Sequence, residues 1–125
     1  MANKFVGSIL RQLLIGISAT DHGTGTAVSM TTLSNIKEVL KSHKLRLSTK
    51  YGLNNIAIFG SYVRGQQTMV SDVDILVDFK QPIGIEFIDL AEELESLLKI
   101  KVDLVSRNGV KPAYYKQIEV ELSYV

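Results

Sequence analysis

Residues 72–79 of this 125-residue chain read Asp-Val-Asp-Ile-Leu-Val-Asp-Phe, an order with a period of two. Successive side chains of an extended strand point to opposite faces, so Val73, Ile75, Val77 and Phe79 share one side while Asp72 and Asp74 share the other. The apolar side must be covered by helices, and the carboxylate side is expected to stay open. One strand thus assigns the core and a polar site to opposite faces of a sheet. Asp78 has the parity of the other two acids but lies farther along, where a strand-end surface residue is the simpler reading.

The segment before this strand gives the carboxylates a context. Asn55 to Phe59 is a short apolar run that leads directly into Gly60 and Ser61, and ten residues separate that pair from Asp72 and Asp74. A glycine where a strand turns into a helix permits close backbone approach, and the new helix offers N–H groups at its positive end. Backbone amides and the Ser61 hydroxyl could then meet phosphate oxygens while carboxylates on the next strand hold magnesium beside them. The pattern describes a site for a nucleoside triphosphate. Arg64, one turn along, has two readings, a phosphate partner or a solvated arginine. Gly65 reads as a helix-ending glycine.

The remaining elements follow from their periodicity. From Ser34, with Ser34 or Thr32 as N-cap, Ile36, Val39, Leu40, Leu47 and Tyr51 mark one helix, and Lys37, Lys41, Lys44, Arg46 and Lys50 form its basic face. After the Pro82-Ile83-Gly84 turn, Phe87, Leu90, Ala91, Leu94, Leu97 and Leu98 form the apolar stripe of a second helix. Its other face carries Glu86, Asp89, Glu92, Glu93 and Glu95, for which solvation or docking to a basic partner are both open. Lys101 to Val105 reads as the third strand. There Val102 and Leu104 take the buried parity, so Asp103 joins Asp72 and Asp74 on the opposite face as a third carboxylate. A helix from Pro112 and a short extended tail end the pattern, with Tyr114, Tyr115 and Tyr124 read as packing residues.

These readings restrict the chemistry. Three carboxylates near a phosphate cradle repel one another, and a hard divalent cation resolves the repulsion; oxygen donors without cysteine exclude zinc-type sites and favour Mg2+. Two such ions could support an in-line displacement at phosphorus, one activating a hydroxyl and one steadying the leaving oxygens. An EF-hand fails because Leu76 stands at the third ligand position of the Asp-x-Asp run. His22 and His43 lack companions at metal-ligand spacing. The Gly23 to Thr26 segment lacks the lysine of a P-loop.

Fourteen basic against thirteen acidic residues, with 46% hydrophobic residues and no cysteine, suit one globular domain in a reducing compartment, here the cytoplasm. Direct binding of nucleic acid is not expected from so even a balance. Residues 1–29 differ in character: an apolar stretch from Phe5 to Ala19 is broken by Arg11 and Gln12, too short and too polar to span a membrane and a poor secretory peptide. The expected organisation is an N-terminal extension over residues 1–29, with Met30 as a candidate natural start, and a catalytic domain over residues 30–125.

GSYVRG, SDVDILVDF and KVDLVS together resemble the minimal nucleotidyltransferases of the DNA polymerase beta superfamily, particularly the MntA-like antitoxins of HEPN/MNT toxin–antitoxin pairs. The resemblance covers Met30 to Val125. It implies an α+β, two-layer fold in which a small mixed β-sheet has helices packed on one face. It also implies transfer of AMP from ATP to a tyrosine of a cognate HEPN ribonuclease toxin, which is thereby neutralised. By position, Gly60 and Ser61 would hold the triphosphate, Asp72 and Asp74 would bind both Mg2+ ions, and Asp103 would bind one ion and help deprotonate the acceptor. Two alternatives stand beside this: a non-catalytic antitoxin that occludes its toxin through the acidic helix face, and transfer to a small molecule or RNA.

Overall fold

The computed structural model describes residues 31–125. Expectations about the leader, His22 and the Gly23 to Thr26 segment therefore lie outside the described residues. Among the described residues, eight elements run in the order α1 (Leu33–Tyr51), β1 (Leu53–Phe59), α2 (Ser61–Arg64), β2 (Val73–Phe79), α3 (Glu86–Leu98), β3 (Val102–Ser106), α4 (Pro112–Glu119) and β4 (Ser123–Tyr124). The sheet order is β3-β2-β1-β4, with β2 antiparallel to β1 and parallel to β3, and β4 antiparallel to β1. A parallel pair needs a crossover, and α3 supplies it.

Local chemistry sets the ends of these elements. Thr32, one of the two candidate caps, accepts the Asn35 N–H on its hydroxyl at 3.2 Å, and Gly52 closes α1 in the left-handed conformation. Pro112 opens α4, where its missing N–H costs nothing.

The period-two reading of β2 holds. Val73, Ile75, Val77 and Phe79 join Ile56 and Ile58 of β1, Val102 and Leu104 of β3, and the apolar stripes of α1 and α3 in one core. Leu40, Leu47, Leu90 and Leu94 are wholly buried there, each contributing about 1.5–3 kcal/mol by removal from water. The long helices thus cover a single face, as expected.

The other face is less open than the alternation implies. Phe59, Leu76 and Val105 form a second core with Ile118 of α4, and Tyr114, Tyr115 and Leu122 pack around it. Leu76 breaks the run of acids on its own parity, and that one apolar residue is where α4 gains its purchase. Tyr114 and Tyr115 do act in packing, whereas Tyr124 is 52% exposed; Arg107 also stacks 3.6 Å above the Tyr115 ring. Asp103, read as facing an open side, is only 2% exposed.

Both charged helix faces are more engaged than sequence spacing suggested. Glu93 accepts from Tyr51 at 2.7 Å and from Lys50 at 3.1 Å, and it also pairs with Arg46. Those bonds hold its carboxyl at about 2, below the ordinary 4.5, against the opposing effect of burial. Burial and the same carboxylate push the Tyr51 phenol upward. Glu95 accepts the Val102 N–H at 3.0 Å. Lys37 and Lys44 reach Ser123 and the Val125 carbonyl, and His43 bonds the Val39 carbonyl within its own helix. The chain's last strand is therefore tied to α1 as well as to β1.

Candidate active site

Phe59, Asp74 and Asp103 form one row across the sheet, because Phe59 is the partner of Asp74 in β1–β2 pairing and Asp74 is the partner of Asp103 in β2–β3 pairing. Gly60 follows Phe59 at the strand's end. Asp72 lies just before β2, on the same parity and half-buried. Register thus brings Gly60, Asp72, Asp74 and Asp103 to one end of the sheet, beside Phe59 of the second core. The three acids expected from sequence share that region.

The Gly60 position can only be glycine. Its φ of 81° and ψ of −151° belong to a region that residues with a Cβ avoid. A Cβ there would lie 2.1 Å from Asp74 Oδ2 and 3.0 Å from its Cγ. The glycine therefore serves two ends: it makes the turn and leaves the volume in which the Asp74 carboxylate sits. Its carbonyl then accepts the Val63 and Arg64 N–H groups at 3.0 and 3.1 Å, which starts α2. Gly65 closes α2 with a φ of 70°, the helix-ending role expected of it.

Tyr62 is buried beneath this turn, and its phenol is pushed up by burial and then by the negative charge of Asp72. Ser61 is half-buried at the start of α2.

One residue of the site gave no sequence signal. Glu121, in the turn between α4 and β4, accepts the Gly60 N–H on Oε2 at 2.8 Å and takes Arg64 Nη1 on Oε1 and Oε2 at 2.9 and 3.1 Å. The sequence leaves Arg64 two readings, a phosphate partner or a solvated arginine; in this structure a protein carboxylate takes both its Nη1 and the Gly60 N–H. Glu121 stands 61 positions from Gly60, and only tertiary structure relates them.

Among the described residues, no group of three or more His, Asp or Glu side chains is gathered so as to hold a metal ion unaided. The three-carboxylate cage anticipated across the strands is thus not preassembled. The donor chemistry nevertheless fits a hard divalent cation: side-chain oxygens only, Asp74 in a space a Cβ would have filled, and Asp103 beside it. A cation such as Mg2+ is ordinarily held by one or two carboxylates, with waters and substrate phosphates completing its shell. Such a site does not need a closed protein cage.

Comparison with known proteins agrees with this geometry. The family model described as a nucleotidyltransferase domain matches residues 40–125. A Methanocaldococcus jannaschii protein to which protein adenylyltransferase activity is ascribed is 49% identical over 98 residues, 77% of this chain and 100% of the relative. The protein adenylyltransferase MntA of Thermococcus cleftensis is 44% identical over 99 residues, covering 78% of this chain and all of that protein. Among solved structures, one described as a minimal nucleotidyltransferase superposes with a TM-score of 0.67 at 29% identity, over 78% of this chain and 100% of the other. A toxin–antitoxin complex with AMP-PNP contains a chain similar at TM-score 0.58 and 28% identity, over 67% of this chain and 70% of that one. With a family match over most of its length and the Gly-Ser turn facing paired aspartates at one sheet end, this chain belongs to the nucleotidyltransferase domain family and is a transferase with the minimal fold of that family.

Proposed function

We propose that this protein transfers AMP from ATP to a tyrosine hydroxyl of a cognate HEPN-domain ribonuclease toxin and thereby neutralises it. The observation that carries the proposal is the adjacency of Gly60 and Asp74, which puts a nucleotide-approach turn against a carboxylate in space no other residue would leave. Its acceptor class is supported by the protein adenylyltransferase MntA of T. cleftensis and by the toxin–antitoxin complex with AMP-PNP. Residues 30–125 form the catalytic unit in this proposal.

The roles divide by position. Gly60, Ser61 and Arg64 bind and orient the triphosphate, and Asp72 and Asp74 would hold the Mg2+ ions. When bound, those ions supply charge neutralisation at the phosphates and acidify the acceptor hydroxyl. The buried Asp103 takes the acceptor proton as the tyrosine oxygen bonds to the α-phosphorus. The bond from that phosphorus to the bridging oxygen breaks, and pyrophosphate leaves with the electron pair. Catalysis here is positioning and electrostatics, as is usual for transfer at phosphorus.

The alternative of occlusion through an acidic helix face is weakened by two structural facts. Glu93 is committed to Arg46, Lys50 and Tyr51, and Glu95 to the Val102 amide. Incubation of the purified toxin with this protein, ATP and Mg2+, read by intact mass, tests the proposal. Added AMP units that vanish with Asp74→Asn are the expected result; an unmodified toxin held in a stable complex would overturn it.

A further inference from the structure

The Arg64 guanidinium is clamped on two of its edges. Its Nε donates to Gln66 Oε1 at 3.2 Å, and Nη1 donates to both oxygens of Glu121. Nη2 makes no hydrogen bond among the described residues, on a side chain 47% exposed. An exposed arginine at the end of a four-residue helix would ordinarily sample several rotamers. Two partners on Nε and Nη1 restrict that freedom and leave Nη2 for a further acceptor.

Glu121 can do this because its own position is fixed from every side. Its N–H donates to the Ile118 carbonyl at 3.0 Å, and Leu122 packs into the second core. Ser123 and Tyr124 then pair with Ile58 and Ala57, and the Val125 N–H donates to the Ile56 carbonyl at 2.9 Å. The carboxylate also fixes the Gly60 amide at 2.8 Å. A rigid C-terminal turn therefore reaches across to the strand–helix junction and holds an arginine there.

We infer that Glu121, with Gln66 as a lesser partner, is a positioning residue that presents the Nη2 edge of Arg64 to the triphosphate, so that the turn after α4 belongs functionally to the nucleotide site. The inference rests on Arg64 contacting the nucleotide, as proposed above. Prepaid ordering of a cationic side chain strengthens anion binding, because the rotamer entropy is not lost on association.

The test is ATP affinity by titration calorimetry, with kcat and KM for AMP transfer and the melting temperature of each variant. Glu121→Gln is expected to weaken ATP binding about tenfold, a loss typical of one charge-assisted contact, with kcat nearly unchanged. Gln66→Ala, which leaves the Gly60 amide bond untouched, should weaken it about twofold to threefold and serves alone if Glu121→Gln does not fold. In an Arg64→Ala background neither change should weaken binding further. A Glu121→Gln effect of equal size in that background overturns the inference, since Glu121 would not be acting through Arg64. Unchanged affinity in both Glu121→Gln and Gln66→Ala, with Arg64→Ala impaired, overturns it while leaving the nucleotide role of Arg64 standing. Unchanged affinity in Arg64→Ala overturns that underlying role, and the inference with it.

Discussion

The two faces of the sheet are made of the same three strands and follow different rules. On the face under α1 and α3, identity is a matter of volume: Ile58, Ile75, Val77 and Leu104 could exchange among aliphatic residues of similar size at modest cost. On the other face, the row Phe59–Asp74–Asp103 with Gly60 leaves no such latitude, because a single added carbon at residue 60 meets a carboxylate. The first face makes the protein stable. The second uses that stability to hold like charges close together, which no isolated strand would tolerate.

The comparison breaks if changes on one face behave like changes on the other. Asp74→Asn should lower AMP transfer at least about a thousandfold, equivalent to roughly 4 kcal/mol of transition-state stabilisation, while the melting temperature stays within a few degrees. A label-transfer assay beside a thermal melt reads both, and a large fall in stability would mean that Asp74 is structural. Leu90→Ala, in the opposite core, should lower stability by about 2–5 kcal/mol in urea titration while activity per folded molecule is retained. Lost specific activity there would show that the faces are coupled.

Gly60→Ala tests the boundary between them. Backbone strain of roughly 1–3 kcal/mol adds to displacement of Asp74, so stability and transfer should fall together; an active variant of native stability would sink the claim that this glycine makes room for the carboxylate. The smallest effect concerns Glu93, which belongs to neither face. Its carboxyl lies at about 2 when folded and near 4.5 when free. A depressed value means a contribution fully present above about pH 4.5 and lost as pH falls toward 2. Glu93→Gln should therefore cost about 1 kcal/mol at neutral pH, allowing for the exposed cations, and flatten the acid limb of stability between pH 5 and 2. A parallel acid limb in wild type and variant would remove that role.

What the sequence revealed was what depends on local order. Alternation along residues 72–79 assigned each side chain its face, and an apolar run ending in Gly60 and Ser61 located the turn. Asp103 was found because Val102 and Leu104 fixed its parity. The rest depended on contacts distant in sequence. Nothing about Ile118 said that α4 would close over Leu76, and nothing about Glu93 said that three donors would converge on it from α1. Glu121 was the furthest from view, since a lone glutamate after a helix has no period to betray it. Arg64 could be singled out from its place after the Gly-Ser pair, but its partner Glu121 could not be named without the fold.

The separations along the chain also carry a consequence for assembly. Gly60 follows β1 and Asp74 lies in its antiparallel neighbour β2, so bringing them together closes a short loop at small entropic cost, whereas Glu121 reaches Gly60 across 61 positions. The β1–β2 ribbon is expected to be structured in the folding transition state, with the turn after α4 arriving later. Conservative truncations would then give fractional φ values at Ile58 and Ile75 and values near zero at Glu121 and Leu122; the reverse order would refute the scheme. If it holds, the turn that places the carboxylate takes shape while the chain is still collapsing, and the clamp on Arg64 closes among the last events of folding.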